Sequence, residues 1–544
     1  MTQPIFSFPG GLHPADHKAE SNGRPIVLAP LSKRYLVPLR QHAGVPAEAL
    51  VQAGDIVLMG QAIGAPGGRI SAAVHAPTSG RVVAVEHHPL PHPSGLDDLC
   101  VVIEADGRDQ PAAMTPLGWR DLTPEVLREQ LAGMGLVGLG GAVFPSHVKL
   151  APGRVAIETL ILNGAECEPW ITCDDRLMRE RAAEVIRGAE IMCHLLGARE
   201  LLVGIEDNKP EAAAAMRAAA AAAGSKARVV VVPTRYPSGG AKQLIQLLTG
   251  LEVPAGRLST DIGIQVFNVA TAYALQRAAE LGEPLVSRIV TVTGHVARPG
   301  NYEVRLGTPI EEVIQLAGGE LPGASGHLVG GPLMGFDLDS TQAPVTKGVN
   351  CLIVTHPALF PARPTAMPCT RCGLCAQACP ASLQPYEMYL YAKAKNLDKA
   401  RAYNLADCIE CGCCSYVCPS HIPLVDYYRF AKSELAARER DKQAAELARE
   451  RHEFHLQRLE REKQEKAARL GRKASERLEA GAVAADDPEA ARKKALLEAA
   501  IERARQAKEA AAPANTEQLT PGQQAEVDAI EARRKAAGQE ETTP

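Results

Sequence analysis

The sequence has few aromatic side chains, little net charge and no long hydrophobic run, and each of these absences excludes a class of protein. Aromatic residues make up 4% of the 544 residues, and none occurs after Phe454. The formal net charge of −4 offers no electrostatic basis for binding nucleic acid. No run of about 18 apolar residues is present, so no predicted helix spans a membrane by itself. The composition is otherwise globular, with 46% apolar and 22% charged residues, and the length predicts about two to four domains.

The first residues also lack the features of a secretory signal, because no basic start is followed by an apolar run. The 14 cysteines do not suggest a secreted disulfide framework, since eight lie in two compact motifs and the others are scattered. Both observations predict a chain that works in a reducing cytoplasm. The scattered cysteines are interpreted as small buried residues.

Two cysteine motifs carry the most specific chemical signal of the sequence. The runs CTRCGLCAQACP and CIECGCCSYVCP share the spacing C-x2-C-x2-C-x3-C-P. This spacing is typical of bacterial two-cluster ferredoxins, in which the fourth cysteine of each motif binds the other cluster. Two [4Fe-4S] clusters are therefore predicted, one bound by Cys369, Cys372, Cys375 and Cys418 and the other by Cys379, Cys408, Cys411 and Cys414.

Two zinc sites are the alternative for these cysteines. Zinc takes four ligands that usually come as two separated pairs, whereas each motif here supplies a triplet and a fourth cysteine followed by proline. The motifs therefore favour iron–sulfur clusters. Cys413 matches no ligand spacing and is predicted to be a bystander.

Periodicity and composition divide the chain into five segments, and the first, residues 1–108, is rich in short strands. Apolar and polar residues alternate in VQAGDIVLMGQAIG and VHAPTSGRVVAVE, between glycine and proline residues. These pieces resemble the barrel-sandwich fold of biotinyl and lipoyl carrier domains, which place a modifiable lysine on the hairpin between them. Here that hairpin reads APGGRISA and has no lysine, so the resemblance implies a structural relative without a swinging cofactor.

The other four segments differ in their predicted secondary structure. Strands alternate with helices in residues 109–284, which predicts an α/β domain with a mainly parallel sheet. Residues 285–364 resemble the β-grasp (SLBB-like) ligand-binding domains that follow flavin modules in respiratory enzymes. Residues 365–430 hold the cysteine motifs between short helices, as a helical two-cluster ferredoxin domain. Residues 431–544 form a tail of alanine and charged residues, predicted to be helical or disordered without a core.

Three interpretations of this tail remain open. It is a solvated extension, a helix that binds a partner protein, or a helix that lies on a membrane surface. Acidic and basic residues are intermixed without a strong apolar face, which argues against the membrane-surface helix.

A glycine-rich stretch, GMGLVGLGGAVFPSHVK, begins at Gly133 and contains the pattern G-x-G-x-x-G. In a Rossmann domain a strand precedes these glycines and a helix follows directly, but here a predicted helix precedes them. The stretch also lacks the G-x-x-x-x-G-K-[ST] pattern of a P-loop. Two interpretations remain, a structural turn without a ligand and a loop that holds a phosphate, since glycine lets an anion approach the backbone amides.

The motifs that follow favour the phosphate loop. NGAECEP after an apolar strand, RYPSGG and FNVATAY make this region resemble the FMN- and NADH-binding fold in the flavin subunit of respiratory complex I. The resemblance implies that Lys149 pairs with the flavin phosphate, that Glu168 faces the nicotinamide cofactor and that Phe144 stacks on its adenine. The implied cofactor-binding residues are Gly138, Gly140, Gly141, Phe144, Lys149, Asn163, Glu166, Glu168, Tyr236, Asn268 and Thr271.

Two departures from the complex I pattern alter the expected contacts. Ala165 stands where that pattern has an acidic residue, and Gly240 and Ala241 stand where it has paired glutamates. Some contacts to FMN or NADH must therefore differ from those in complex I.

The order of the four folded segments resembles that of the RnfC family of Rnf complexes, as do FPGGLHPADHK and RYPSGGAKQLIQ, and the resemblance covers residues 10–430. It implies a peripheral subunit on the cytoplasmic side of the bacterial inner membrane, attached through membrane subunits and a ferredoxin-like subunit. The implied activity is NADH oxidation at FMN, with electrons passing through the two clusters towards ferredoxin while the complex translocates ions. No side chain is predicted to act as a general acid or base.

Two other functions remain open. A soluble diaphorase subunit of a hydrogenase or formate dehydrogenase would share the flavin domain, but such chains usually lack the N-terminal FPGG module. A non-enzymatic electron-relay subunit with degenerate flavin and NADH pockets is favoured by Ala165 and Ala241.

Overall fold

The computed structural model describes residues 4–483 and 488–510, and residues 1–3, 484–487 and 511–544 lie outside the described part. The chain divides into two compact units, Met1–Arg438 and Glu439–Pro544. The four predicted folded segments lie in the first unit. Most of the predicted tail lies in the second.

A short N-terminal arm leads into a barrel-sandwich of two antiparallel sheets. The elements of this region are helix α1 (Ala19–Asn22) and strands β1 (Val27–Leu28), β2 (Arg34–Pro38), β3 (Glu48–Ala49), β4 (Ile56–Val57), β5 (Ala62–Ala65), β6 (Val74–His75), β7 (Gly80–Pro89) and β8 (Asp97–Ala105). One sheet has the order β2–β8–β7–β4 and the other the order β3–β5–β6. Tyr35 pairs with Ile103 and Val37 with Val101. Because side chains alternate along a strand, all four point into one buried core.

The second domain is built around a parallel sheet, as the alternation of strands and helices predicts. Its elements are α2 (Pro124–Ala132), α3 (Ser146–Lys149), β9 (Thr159–Gly164), α4 (Cys173–Glu180), α5 (Ala182–Leu196), β10 (Glu200–Glu206), α6 (Pro210–Ala222), β11 (Arg228–Val232), α7 (Ala241–Thr249), β12 (Ile264–Asn268) and α8 (Val269–Leu281). The strands have the order β11–β10–β9–β12. Helix α5 packs closely on α8, because a Cβ at Gly188 would lie 1.9 Å from the carbonyl oxygen of Ala272.

The β-grasp domain has a mixed sheet that also includes a strand from the N-terminal region. Its elements are β13 (Ser287–Gly294), β14 (Gly300–Arg305), α9 (Ile310–Leu316), β15 (Gly326–Val329), β16 (Phe336–Asp337) and β17 (Cys351–Thr355). The order β1–β14–β13–β17–β15–β16 places β1 at one edge, parallel to β14. The strand, turn, strand and helix predicted at the start of this domain are all present.

Short helices surround the two cysteine motifs. The helices of this region are α10 (Leu374–Gln377), α11 (Pro385–Lys393), α12 (Leu397–Ala402), α13 (Cys413–Tyr416) and α14 (Leu424–Val483). Tyr428 and Ala431 of α14 are fully buried in the core of the cysteine domain. The second unit holds the rest of α14 and helix α15 (Pro488–Ala510), where every side chain of described burial is exposed. The helical prediction therefore holds for this part of the tail, while residues 511–544 lie outside the described residues.

No helix within residues 4–483 and 488–510 is both long and apolar enough to cross a membrane.

A buried lysine joins three of the domains. The ammonium of Lys347, in the β-grasp domain, donates to the carbonyl oxygens of Ala73, in the barrel-sandwich, and Gly135, in the glycine stretch, at 2.9 and 2.7 Å. Burial lowers the pKa of Lys347 to about 7. Burial and the nearby lysine lower the pKa of His75 to about 3. The domains are therefore joined at a point where positive charge is unfavourable.

We expect this junction to make stability depend on pH. The folded pKa of Lys347 lies below its ordinary value of 10.5, so the unfolded chain binds more protons between pH 7 and pH 10.5. Stability contributed by this group therefore rises with pH across that window. Compared with Lys347→Met, the wild-type chain should gain up to about 4 kcal/mol between those limits. Thermal unfolding at pH 7 and pH 9.5 measures the difference, with Lys33→Met, an exposed lysine, as control. A difference independent of pH would contradict this expectation.

Candidate functional site

The parallel sheet reverses its direction of winding between β9 and β12. Asn163 near the end of β9 and Asn268 at the end of β12 are neighbours across these two strands. In open α/β sheets, ligands bind beside the carboxyl ends of the strands at such a switch point. The structure therefore brings two of the predicted flavin residues together at the expected edge.

The glycine loop lies beside this edge, between α2 and α3 rather than after a strand, which argues against a Rossmann domain. The amide of Gly138 donates to the carbonyl of Phe144 at 2.9 Å and closes the loop. The amide of Leu139 donates to the Thr271 hydroxyl at 2.9 Å. Thr271 belongs to the first turn of α8, so the loop is attached to that helix N-terminus.

The next three amides of the loop, at residues 140–142, donate no hydrogen bond to any residue of the described chain. Gly140 packs on Asn268, and a Cβ at Gly140 would lie 3.2 Å from the Cβ of Asn268. Gly141 has φ +114°, a conformation that favours glycine. Free amides beside a helix N-terminus form an anion site. The residues present therefore fit the phosphate of FMN.

Lys149 ends α3 close to this loop, but its ammonium already has partners in the protein. The ammonium donates to the carbonyl of Val266 and lies 4.3 Å from the centre of the Phe267 ring. Burial lowers the pKa of Lys149 to about 8. Lys149 and Phe144 line one open cleft of about 790 Å³. A salt bridge from Lys149 to a flavin phosphate stays a prediction that requires this ammonium to exchange partners.

Glu166 shapes the segment that follows β9. Its carboxylate accepts hydrogen bonds from the amides of Asp174, at 2.6 Å, and Asp175, at 3.2 Å, in the first turn of α4. Its backbone has φ +50°, which is uncommon outside glycine. Burial raises the pKa of Glu166 to about 8. In this structure Glu166 therefore caps a helix beside the predicted flavin edge.

Asn163 and Asn268 also hold neighbouring segments. The amide group of Asn163 donates to the carbonyl of Gly239 at 2.8 Å. The amide group of Asn268 donates to the carboxylate of Asp174 at 2.6 Å, while its oxygen accepts from the amide of Ala270. Both side chains therefore fix the walls of the edge, and direct contacts to flavin stay a prediction.

Lys18 of the N-terminal arm is an unpredicted component of this site. Its ammonium is buried and donates to the carbonyl oxygens of Glu166, Glu168 and Ile171 at 2.7, 3.0 and 2.6 Å. Burial lowers the pKa of Lys18. The adjacent His17 ring stacks on Trp170 at 4.2 Å. The arm therefore fixes the whole NGAECEPW segment. The run HPADHK before α1 was the available signal, but nothing in it pointed to residues about 150 positions away.

Glu168 and Tyr236 connect the flavin edge to other domains. The carboxylate of Glu168 accepts hydrogen bonds from the amides of Leu333 and Met334, in the β-grasp domain, at 2.6 and 3.0 Å. Burial raises the pKa of Glu168. The hydroxyl of Tyr236 donates to the carbonyl oxygen of Cys411 at 2.6 Å. The proposed contact of Glu168 with nicotinamide stays a prediction, because this carboxylate already holds a domain interface.

The eight motif cysteines are grouped around two separate cavities. One cavity is lined by Cys369, Cys372, Cys375 and Cys418. The other is lined by Cys379, Cys408, Cys411 and Cys414, together with Cys413. Each cavity thus combines three cysteines of one motif with the fourth cysteine of the other, as two-cluster ferredoxins require. We call them the outer and inner cavities, because Cys372 of the first is exposed whereas Cys411 and Cys414 of the second are buried.

Comparison with protein families identifies the same four domains. Residues 6–108 match the RnfC barrel sandwich hybrid domain, and residues 131–277 match the Nuo51 FMN-binding domain. Residues 289–337 match the SLBB domain, and residues 365–422 match the 4Fe-4S dicluster domain. These matches confirm the predicted fold class and the predicted FMN and [4Fe-4S] cofactors, and they favour iron over zinc at the cysteines.

Individual proteins show how far this similarity extends. The RnfC-type subunit of the ion-translocating oxidoreductase complex of Citrobacter koseri is 47% identical over 472 residues, covering 86% of this chain and 66% of that protein. Its counterpart from Salmonella gallinarum is 47% identical over 474 residues, covering 86% and 69%. An NAD+-reducing [NiFe]-hydrogenase in the H2-reduced state has a TM-score of 0.43 and 18% identity over 55% of this chain and 61% of its own. That likeness is too distant to carry an argument.

This chain spans about two thirds of the length of the curated relatives that it matches. The predicted resemblance is confirmed by the identity to these relatives and by the match of its first domain. The chain belongs to the RnfC family of subunits of ion-translocating oxidoreductase complexes.

Proposed function

We propose that this chain is the peripheral, NADH-oxidising subunit of a membrane-bound complex that couples electron transfer between NADH and ferredoxin to ion translocation. The complex lies in the bacterial inner membrane, and this chain binds on the cytoplasmic side through the membrane subunits and a ferredoxin-like subunit. The identity to subunits of ion-translocating oxidoreductase complexes supports this assignment. The finding that no described helix is suited to span a membrane is consistent with attachment through partners.

FMN would be held at the switch point of the parallel sheet. The free amides at residues 140–142 and the first turn of α8 would bind its phosphate. Asn163, Glu166 and Asn268 would hold the walls around its ring system. Bound FMN accepts a hydride from NADH and releases the electrons singly, which is the conversion that iron–sulfur clusters require.

The contact between Tyr236 and Cys411 is the observation that carries this proposal. It joins the loop after β11, at the flavin edge, to a predicted ligand of the inner cluster without an intervening solvent layer. The arm contributes to the same junction, since Leu12 and Tyr236 exchange backbone hydrogen bonds and the amide of Gly11 donates to the carbonyl of Ala378. The inner cavity therefore adjoins the flavin domain, which supports electron entry at the cluster of Cys379, Cys408, Cys411 and Cys414.

An anaerobic titration of the full-length chain tests this function. The chain is loaded with iron, sulfide and FMN and titrated with NADH while optical and EPR spectra are recorded. We expect flavin bleaching followed by reduced-cluster signals, with one NADH supplying the two electrons that reduce both clusters. Clusters without retained flavin would contradict the proposed flavin site.

An electron-relay subunit is the second candidate, because the carboxylate of Glu168 is engaged by the β-grasp domain and Ala165 and Ala241 remove acidic groups. In that case the chain would retain flavin that NADH fails to reduce. The same titration therefore separates the two functions. A soluble diaphorase subunit is disfavoured by the RnfC barrel-sandwich match over residues 6–108.

A further inference from the structure

The hairpin between β5 and β6 has no role in the function proposed so far. In carrier domains of this fold the corresponding hairpin bears the modifiable lysine, and here it bears Arg69. The side chain of Arg69 is exposed. Its guanidinium makes no ion pair or hydrogen bond with any residue in the described part of the chain. A guanidinium without a protein partner is available to bind an anion.

The hairpin is held against the glycine loop by a short relay of backbone contacts. The amide of Val45 donates to the carbonyl of Ile70 at 3.0 Å, directly after Arg69. The amide of Ala43 donates to the carbonyl of Val143, in the glycine loop, at 3.1 Å. The two segments approach so closely that a Cβ at Gly44 would lie 2.1 Å from the carbonyl oxygen of Ile70. The position of Arg69 is therefore fixed relative to the flavin domain.

This placement puts Arg69 on the wall of the open cleft that also contains Phe144 and Lys149. The cleft of about 790 Å³ has the size of a cofactor site, for which about 300–1,000 Å³ is usual. One wall of it therefore comes from the barrel-sandwich domain and the other from the flavin domain. A ligand of extended shape would contact both.

The other cations of the cleft already have partners. Lys149 donates to the carbonyl of Val266. The guanidinium of Arg128 donates to the carbonyl of Leu150 at 3.0 Å and lies 4.0 Å from the carboxylate of Glu125. The phosphate of FMN is accounted for by the amides at residues 140–142. Arg69 is thus the cleft's guanidinium that remains for a second phosphate-bearing ligand.

We propose that Arg69 binds the pyrophosphate of the nicotinamide dinucleotide, so that the barrel-sandwich domain completes the substrate site. The inference rests on the proposed oxidation of NADH by this chain. A dinucleotide is long enough to place its nicotinamide at the flavin edge and its pyrophosphate under the hairpin. The hairpin that bears a covalent cofactor in carrier domains thereby acts as a clamp for a diffusible one.

The test compares Arg69→Ala with Arg81→Ala in the full-length, FMN-loaded chain. Arg81 is an exposed arginine on β7 of the same domain and does not line the cleft. Calorimetry with ADP-ribose, which carries the pyrophosphate but no reducing group, measures binding separately from electron transfer. We expect the dissociation constant of ADP-ribose to rise about tenfold in Arg69→Ala and to be unchanged in Arg81→Ala.

Flavin reduction by NADH gives a second readout. The NADH concentration for half-maximal rate should rise by a similar factor, whereas the limiting rate of bleaching should be unchanged, since a pyrophosphate contact contributes equally before and during hydride transfer. Arg69→Lys should recover part of the affinity, because it retains the charge and loses the fork geometry.

Three results would overturn the proposal, and each has a different meaning. Equal ADP-ribose affinity in Arg69→Ala and wild type would overturn it while leaving the NADH oxidation of the wild type intact. Loss of FMN from Arg69→Ala would assign the guanidinium to the flavin phosphate instead. Failure of the wild-type chain to bind ADP-ribose or to be reduced by NADH would reject the proposed function and this inference with it.

Discussion

Replacing Cys379 by alanine is expected to remove the cluster of the other motif and to leave the cluster of its own motif in place. Cys379 lines the inner cavity with Cys408, Cys411 and Cys414, not the outer cavity with its sequence neighbours. Cys379→Ala should therefore lower the iron and acid-labile sulfide content by about half, because each [4Fe-4S] cluster holds half of the iron. The remaining EPR signal of the reduced chain should match the one left by Cys408→Ala.

Two further variants make this expectation specific to the crossed arrangement. Cys418→Ala should leave the same signal as Cys372→Ala, since both residues line the outer cavity. Cys413→Ala is the matched control, because Cys413 is buried beside the inner cavity but is not a predicted ligand. Retention of both clusters in Cys413→Ala is expected. If the signal left by Cys379→Ala instead matched that left by Cys372→Ala, each motif would bind its own cluster and the crossed ligand sets would be rejected.

Replacing Lys18 by methionine is expected to loosen the flavin edge from a distance. Methionine fills a similar volume but donates nothing, so the carbonyl oxygens of Glu166, Glu168 and Ile171 would lose their shared donor. Unpaired buried polar groups cost about 1–3 kcal/mol each, and partial access of water would limit the total to about 3 kcal/mol. The positive φ of Glu166 would then be held less firmly, and the dissociation constant of FMN should rise roughly tenfold.

Hydrogen–deuterium exchange locates this effect. Amides in residues 166–171 should exchange faster in Lys18→Met than in wild type, while amides of the β-grasp core should be unaffected. Lys33→Met, which changes an exposed lysine of the same domain, should leave both exchange and FMN affinity unchanged. Unaltered FMN affinity and exchange in Lys18→Met would show that the arm does not control the flavin edge.

Local pattern was sufficient to predict the elements that carry the cofactors. The two cysteine motifs are short runs whose spacing alone limits the chemistry, and the glycine stretch is followed by apolar strands with Asn163 and Asn268 at their ends. These are features of period and position, which a sequence displays directly. The predicted fold class and cofactors were accordingly confirmed by the family matches.

Contacts between distant segments could not be predicted in this way. Nothing near Lys18 indicates that its ammonium lies under Glu166, and nothing near Lys347 indicates that three domains meet there. Glu168 illustrates the limit within a predicted site, since its sequence position favoured a cofactor contact while its carboxylate accepts hydrogen bonds from Leu333 and Met334. Which partner a buried charge finds depends on the packing of whole domains, which the spacing of residues along one segment does not encode.

The N-terminal arm gives the ferredoxin part of this chain a discontinuous unit of inheritance. Gly10 lies against the carbonyl of Cys379 so closely that a Cβ there would be 2.5 Å from the oxygen, and the next amide bonds to Ala378. A recombination event that exchanged only the cysteine-rich segment would therefore part it from the FPGG residues that seat it. Successful chimaeras of this architecture should be those that transplant the arm and the cysteine domain from one parent, although more than 350 positions separate them along the sequence.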